Sequence, residues 1–149
     1  MLTSFNQTAS KTVAVYSEAD KNSLHVRMAD EAVFIGPSEA RNSYLNSSRL
    51  LEAALKTKAQ AIHPGYGFLS ESAEFARECE KRGIDFIGPS SEHIELFGLK
   101  DKARTIAQEI GIPIVPGSRI ISSLKEALLE ADRIGYPVVV KETAGGGGA

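Results

Sequence analysis

Lys141 followed by four consecutive glycines, Gly145, Gly146, Gly147 and Gly148, is the strongest chemical signal in the sequence. Glycine permits positive φ and close backbone approach. Successive free N–H groups can then converge on phosphate oxygens. A lysine at the end of the preceding segment adds a point charge to the same oxygens. No Gly-Lys-Ser/Thr follows, which excludes a Walker-type P-loop, and no helix start follows, which excludes the dinucleotide fingerprint. On the residues alone two readings stay open: a phosphate cradle, or a flexible linker.

The second signal is His63-Pro64-Gly65-Tyr66-Gly67-Phe68-Leu69-Ser70-Glu71. It follows an expected strand and precedes an expected helix, which places it on the carboxyl edge of an open α/β sheet, where ligands bind. Tyr66 and Gly67 sit at its centre. The competing reading is a tight strand-to-helix turn with Tyr66 and Phe68 packed in the core. No second histidine or cysteine stands at ligand spacing from His63, so no metal site is expected on side chains. Lys100 is a third candidate, although a lysine beside Asp101 and Lys102 reads on its own as solvated surface. Cys79 reads as a small buried apolar residue.

Short apolar runs alternating with helical patterns must position these groups. Residues 12–16 are rich in β-branched side chains and form a continuous run, as a strand buried on both faces should. Asp20 is the expected cap of a short helix to residue 29. Strands follow at 32–35, 59–63 and 84–87, two of them stopped by Gly36-Pro37 and Gly88-Pro89. Between them, residues 46–58 and 71–81 carry apolar side chains at helical spacing. Strands joined by helices of this length give βαβ units and a parallel, doubly wound, Rossmann-like α/β fold. A second unit begins near Gly98. Residues 100–110 are helical, 112–115 extended, and Ser123 with Glu126 has capping-box spacing for a helix to Ile134. Residues 137–141 read as a strand leading into the glycines.

Composition narrows the function classes. The chain has 149 residues, 42% hydrophobic and 24% charged, with net charge −2. That is about one domain's length, without the basic field that nucleic acid or an anionic membrane would attract. A single cysteine allows no internal disulfide. No run approaches a membrane span, and residues 1–10 lack signal-peptide character. The expected compartment is the cytoplasm.

Taken together, these stretches resemble the biotin carboxylase family from about residue 11 to residue 148. The carriers are Val13-Ala14-Val15-Tyr16-Ser17-Glu18-Ala19-Asp20 with His25 and Ala29-Asp30, the whole of residues 63–71, the Pro116-Gly117-Ser118 turn, and Tyr136-Pro137 before Lys141. Phe97-Gly98-Leu99-Lys100 with Ala103-Arg104, and Thr143-Ala144 after Lys141, resemble the urea carboxylase branch. The resemblance implies a pre-ATP-grasp domain over residues 11–97, an atypical segment at 1–10, and the beginning of an ATP-grasp domain over 98–149. It implies ATP with magnesium as cofactor, bicarbonate as substrate and biotin on a carrier domain as acceptor. Bicarbonate is activated as a carboxyphosphate, and in the urea branch the carboxyl group passes on to give allophanate. Lys100, Lys141 and Gly145–Gly148 would contact ATP, and Tyr66 and Gly67 would face biotin.

The same resemblance implies that the family's opening strand and glycine loop are replaced at residues 1–10. It also implies that the catalytic half, the carrier domain and the carboxyltransferase lie beyond residue 149. The expectation is therefore a fragment without catalysis of its own. The alternatives are an acetyl-CoA, propionyl-CoA or pyruvate-type carboxylase, a non-catalytic remnant or interaction module that pairs with a separately encoded remainder of a carboxylase, and another ATP-grasp ligase.

Overall fold

The computed structural model describes residues 10–141, which divide into two compact units between Ser91 and Glu92. In the first unit, β1 (Val13–Ser17) pairs in parallel with β2 (Glu31–Gly36), Val13 opposite Glu31 and Tyr16 opposite Phe34. Parallel pairing requires a crossover, supplied by a 3-10 turn at Glu18–Asp20 and by α1 (Leu24–Met28). The helix is shorter than the sequence pattern suggests, and Asp20 does not cap it. The Asp20 main-chain carbonyl accepts from the Ser23 N–H at 2.8 Å, while its carboxylate is engaged with Tyr44, Ser17 and Ser23. Thr12 and Asp30 clamp the entrance to the strand pair. The Asp30 carboxylate accepts from both the main-chain N–H and the hydroxyl of Thr12, each at 2.8 Å.

Helix α2 (Ser47–Thr57) starts where the Asn46 side chain accepts from the Arg49 N–H at 3.2 Å. It ends at Lys58, a left-handed residue with φ 56°. Next come β3 (Ala61–Ile62), α3 (Ala73–Lys81) capped by Ser72, and β4 (Asp85–Phe86). β3 and β4 again pair in parallel, Ala61 with Asp85 and Ile62 with Phe86. Among the described residues the four strands thus form two parallel pairs. The core lies between the two longer helices and the second pair: Leu51 and Ala54 of α2, Phe75 and Cys79 of α3, and Ile84. Burial pushes the Cys79 thiol pKa up, in keeping with a packed side chain rather than a reactive one.

Gly36 closes β2 in a conformation that only glycine adopts without strain. Its φ is +135°, and a Cβ there would stand 2.5 Å from the Asn42 main-chain oxygen and 2.9 Å from Arg49 Nη1. That guanidinium nitrogen donates to the Ile35 carbonyl at 3.1 Å, tying α2 to β2. Gly36→Ala is expected to cost about 2–3 kcal/mol, from backbone strain and displacement of the Asn42 peptide. Chemical denaturation should show a lowered midpoint with an unchanged m-value.

The second unit contains most of α4 (Ser91–Gly98), α5 (Lys100–Glu109) and α6 (Leu124–Ile134). Two arginines clasp the turn between α5 and α6: Arg104 donates to the Val115 carbonyl at 2.8 Å and Arg133 to the Gly117 carbonyl at 3.1 Å. The capping box is altered. Ser123 Oγ accepts from the Glu126 N–H at 3.2 Å, but the Glu126 carboxylate reaches back to Ser122, not to the Ser123 N–H. Residues 137–141 do not form the expected strand, and Val139 and Val140 are 79% and 85% exposed. A strand exists through its ladder, and no described strand lies in this unit to supply one.

Candidate functional site

The turn from β3 into α3 holds the glycine–aromatic motif. His63 Nδ1 accepts from the Gly65 N–H at 3.0 Å, and the Gly67 and Leu69 carbonyls accept from the N–H groups of Ser70 and Ser72. Ser72 Oγ then accepts from the Phe75 N–H at 3.2 Å, which starts α3. Short local bonds therefore lead the chain directly from strand to helix. The core-packing reading of the aromatics does not hold. Tyr66 is 93% exposed and Phe68 is exposed beside it. The Tyr66 ring meets the edge of His63, with centroids 6.0 Å apart. A Cβ added at Gly67 would touch nothing within 4 Å. Tyr66 and Gly67 thus present an aromatic face and an uncluttered backbone at the carboxyl end of a parallel strand.

A polar network behind this loop had no sequence signal. The Tyr44 hydroxyl donates to Asp20 Oδ2 at 2.6 Å and accepts from the Ser17 N–H at 3.0 Å. Asp20 Oδ2 also accepts from Ser17 Oγ at 3.0 Å. Hydrogen bonds from Tyr44, then Ser17, hold the Asp20 carboxyl below the usual carboxylate range. Burial, and then the bond to Asp20, pushes the Tyr44 hydroxyl up. The ring of Tyr44 stacks on Phe68, centroids 5.3 Å apart and planes 23° off parallel.

The expected phosphate contacts lie in the second unit. Lys100 is the first residue of α5 and partly buried. A cation at the positive end of a helix is a placement the helix dipole disfavours, and Asp101 in the same turn partly offsets it. Lys141 is exposed at the end of segment 137–141. Gly145, Gly146, Gly147 and Gly148 lie outside the described residues. Among the described residues no three His, Cys, Asp or Glu side chains converge, and no helix is long and apolar enough to cross a membrane. Lys100 and Lys141 thus lie in the second unit, and Tyr66 and Gly67 in the first.

Residues 1–94 match the biotin carboxylase N-terminal domain. The chain belongs to the biotin carboxylase family. Residues 100–149 match the ATP-binding domain of the carbamoyl-phosphate synthase L chain. Over 139 residues, 93% of this chain and 31% of the relative, the sequence is 55% identical to biotin carboxylase 1 of Bacillus subtilis. It is also 55% identical to the α subunit of mitochondrial methylcrotonoyl-CoA carboxylase from Glycine max, covering 93% of this chain and 19% of the relative. Against urea amidolyase of Lachancea kluyveri it is 53% identical, covering 93% of this chain and 8% of the relative. The fold superposes on the crystal structure of a biotin carboxylase–βγ-ATP complex from Campylobacter jejuni with a TM-score of 0.91 and 43% identity, covering 98% of this chain and 33% of that one. The chain therefore spans about a third or less of these relatives.

Proposed function

We propose that this chain forms the pre-ATP-grasp domain and the beginning of the ATP-grasp domain of an ATP-dependent biotin carboxylase. One observation carries the reading: the chain matches, in order, a biotin carboxylase N-terminal domain and an ATP-binding domain. In this reading Lys100 and Lys141 neutralise nucleotide phosphates, and the N–H groups of Gly145–Gly148 cover them. Charge neutralisation and positioning of this kind dominate phosphoryl transfer. Tyr66 and Gly67 offer a stacking face and open backbone on the biotin side. The boundary between the two domains is set at residues 97 and 98 in this reading, between the two matched segments 1–94 and 100–149. ATP with magnesium, bicarbonate and a biotin carrier domain serve the assembled enzyme, and this chain does not turn over alone. We place it in the cytoplasm on its single cysteine and unremarkable charge.

The finer reading assigns urea as final acceptor. It rests on Phe97-Gly98-Leu99-Lys100, Ala103-Arg104 and Thr143-Ala144. Because identity to methylcrotonoyl-CoA carboxylase and to urea amidolyase is nearly equal, the deciding measurement is the coding sequence after Ala149. Continuation into a urea-type carboxyltransferase supports urea; continuation into an acyl-CoA type overturns it.

The broader reading is tested by substituting the chain for the equivalent segment of the Bacillus subtilis enzyme. The chimaera is expected to cleave ATP in a bicarbonate- and biotin-dependent manner, and the isolated chain is expected to be inactive. A folded but inactive chimaera, or an isolated chain with the chimaera's turnover, would count against it.

A further inference from the structure

Phe68 is held in a conformation it would not choose. Its φ is +47°, in the left-handed region that non-glycine residues rarely visit. It is also exposed, so the core does not force it there. Such conformations persist where the surroundings over-determine them, and they collect at ligand-binding loops. Here the surroundings are the turn closed by the Ser70 N–H on the Gly67 carbonyl at 2.9 Å and the Tyr44 ring, stacked on Phe68 at 5.3 Å. Tyr44 is in turn fixed through its hydroxyl, which bonds Asp20 Oδ2 at 2.6 Å and the Ser17 N–H at 3.0 Å. Ser17 is the last residue of β1 and is buried. Asp20 gains a further bond from Ser23 Oγ at 3.3 Å. A rigid chain of contacts therefore runs from the end of β1, through Tyr44, to the loop that follows β3.

We infer that Tyr44 is a positioning residue: its anchored ring holds Phe68 left-handed and thereby sets the direction in which the neighbouring Tyr66 ring and Gly67 backbone face. The hydroxyl bonds fix the Tyr44 ring, and the ring fixes the loop. A binding loop ordered in advance loses less freedom when its ligand arrives. That Tyr66 and Gly67 meet biotin rests on the functional reading above, but the positioning role is measurable without any ligand.

The test uses the full chain and the variants Tyr44→Leu, Tyr44→Phe and Phe68→Gly. Amide hydrogen exchange is followed at Ser70 and Ser72, whose N–H groups bond the Gly67 and Leu69 carbonyls, against helix amides of α2 and α3. Tyr44→Leu is expected to speed loop exchange about tenfold or more, with helix amides changing less than about twofold, as local rather than global opening requires. Tyr44→Phe keeps the stack but loses the anchor, so loop exchange should fall between the two. Phe68→Gly removes the conformational demand, and adding Tyr44→Leu to it should produce little further change in loop exchange. Nuclear magnetic resonance supplies the signature: upfield ring-current shifts of Phe68 and the Tyr66–His63 ring contact, both retained in Tyr44→Phe and lost in Tyr44→Leu. Uniform acceleration of loop and helix amides, or an unchanged loop in Tyr44→Leu, overturns the inference. Either result leaves the carboxylase reading standing, and an inactive chimaera leaves these measurements unaffected.

Discussion

Phe75→Ala is expected to destabilise the first unit by about 3–5 kcal/mol. The ring is 2% exposed and sits among Leu51, Ala54, Cys79 and Ile84. Its edge meets Phe86 with centroids 6.1 Å apart and planes 83° apart, a favourable aromatic geometry. Removing it leaves a cavity bordered by two helices and a strand, which can collapse only in part. A loss of that size is a large share of the 5–15 kcal/mol typical of a whole domain. Circular dichroism under a urea gradient should show the midpoint falling toward zero, with Phe75→Leu recovering much of the loss. Tyr66→Ala supplies the contrast. With that ring 93% exposed, the change should stay within about 0.5 kcal/mol. Equal effects of the two substitutions would mean that the core lies elsewhere.

Lys141→Ala in the chimaera is expected to lower kcat/KM for ATP about 100-fold, the usual consequence of removing one charged stabilising group from phosphoryl transfer. Lys141 is exposed, so the melting temperature should barely move, separating chemistry from folding. Lys141→Arg keeps the charge but spreads it over a planar fork, and partial activity is expected. Lys100→Ala should also weaken nucleotide binding. Retention of full ATP cleavage by Lys141→Ala would remove this lysine from the phosphate site.

Most of the first unit was legible because its signals are local. The β-branched run that became Val13–Ser17 and the apolar spacing behind Ser47–Thr57 and Ala73–Lys81 each lie within one element. The candidate site was legible in part for the same reason: residues 63–71 carry turn chemistry that any reader can locate. What escaped was long-range. Asp20 has the composition of a helix cap, yet Tyr44 claims its carboxylate from 24 residues away. The valines of 137–141 have strand propensity, but propensity supplies no partner strand. Tyr66 and Phe68 look like core aromatics by composition, and only the path of the turn shows that they point outward.

The described strands of the first unit pair in consecutive twos, β1 with β2 and β3 with β4. Each pairing is closed by one crossover, which keeps its loop-closure cost modest. Helix α2 is the piece that joins them, through Arg49 to the Ile35 carbonyl on one side and through Leu51 and Ala54 to Phe75 and Ile84 on the other. Substitutions at Arg49, Leu51 or Ala54 are therefore expected to uncouple the two pairs, and stopped-flow refolding would show whether they slow folding or only speed unfolding.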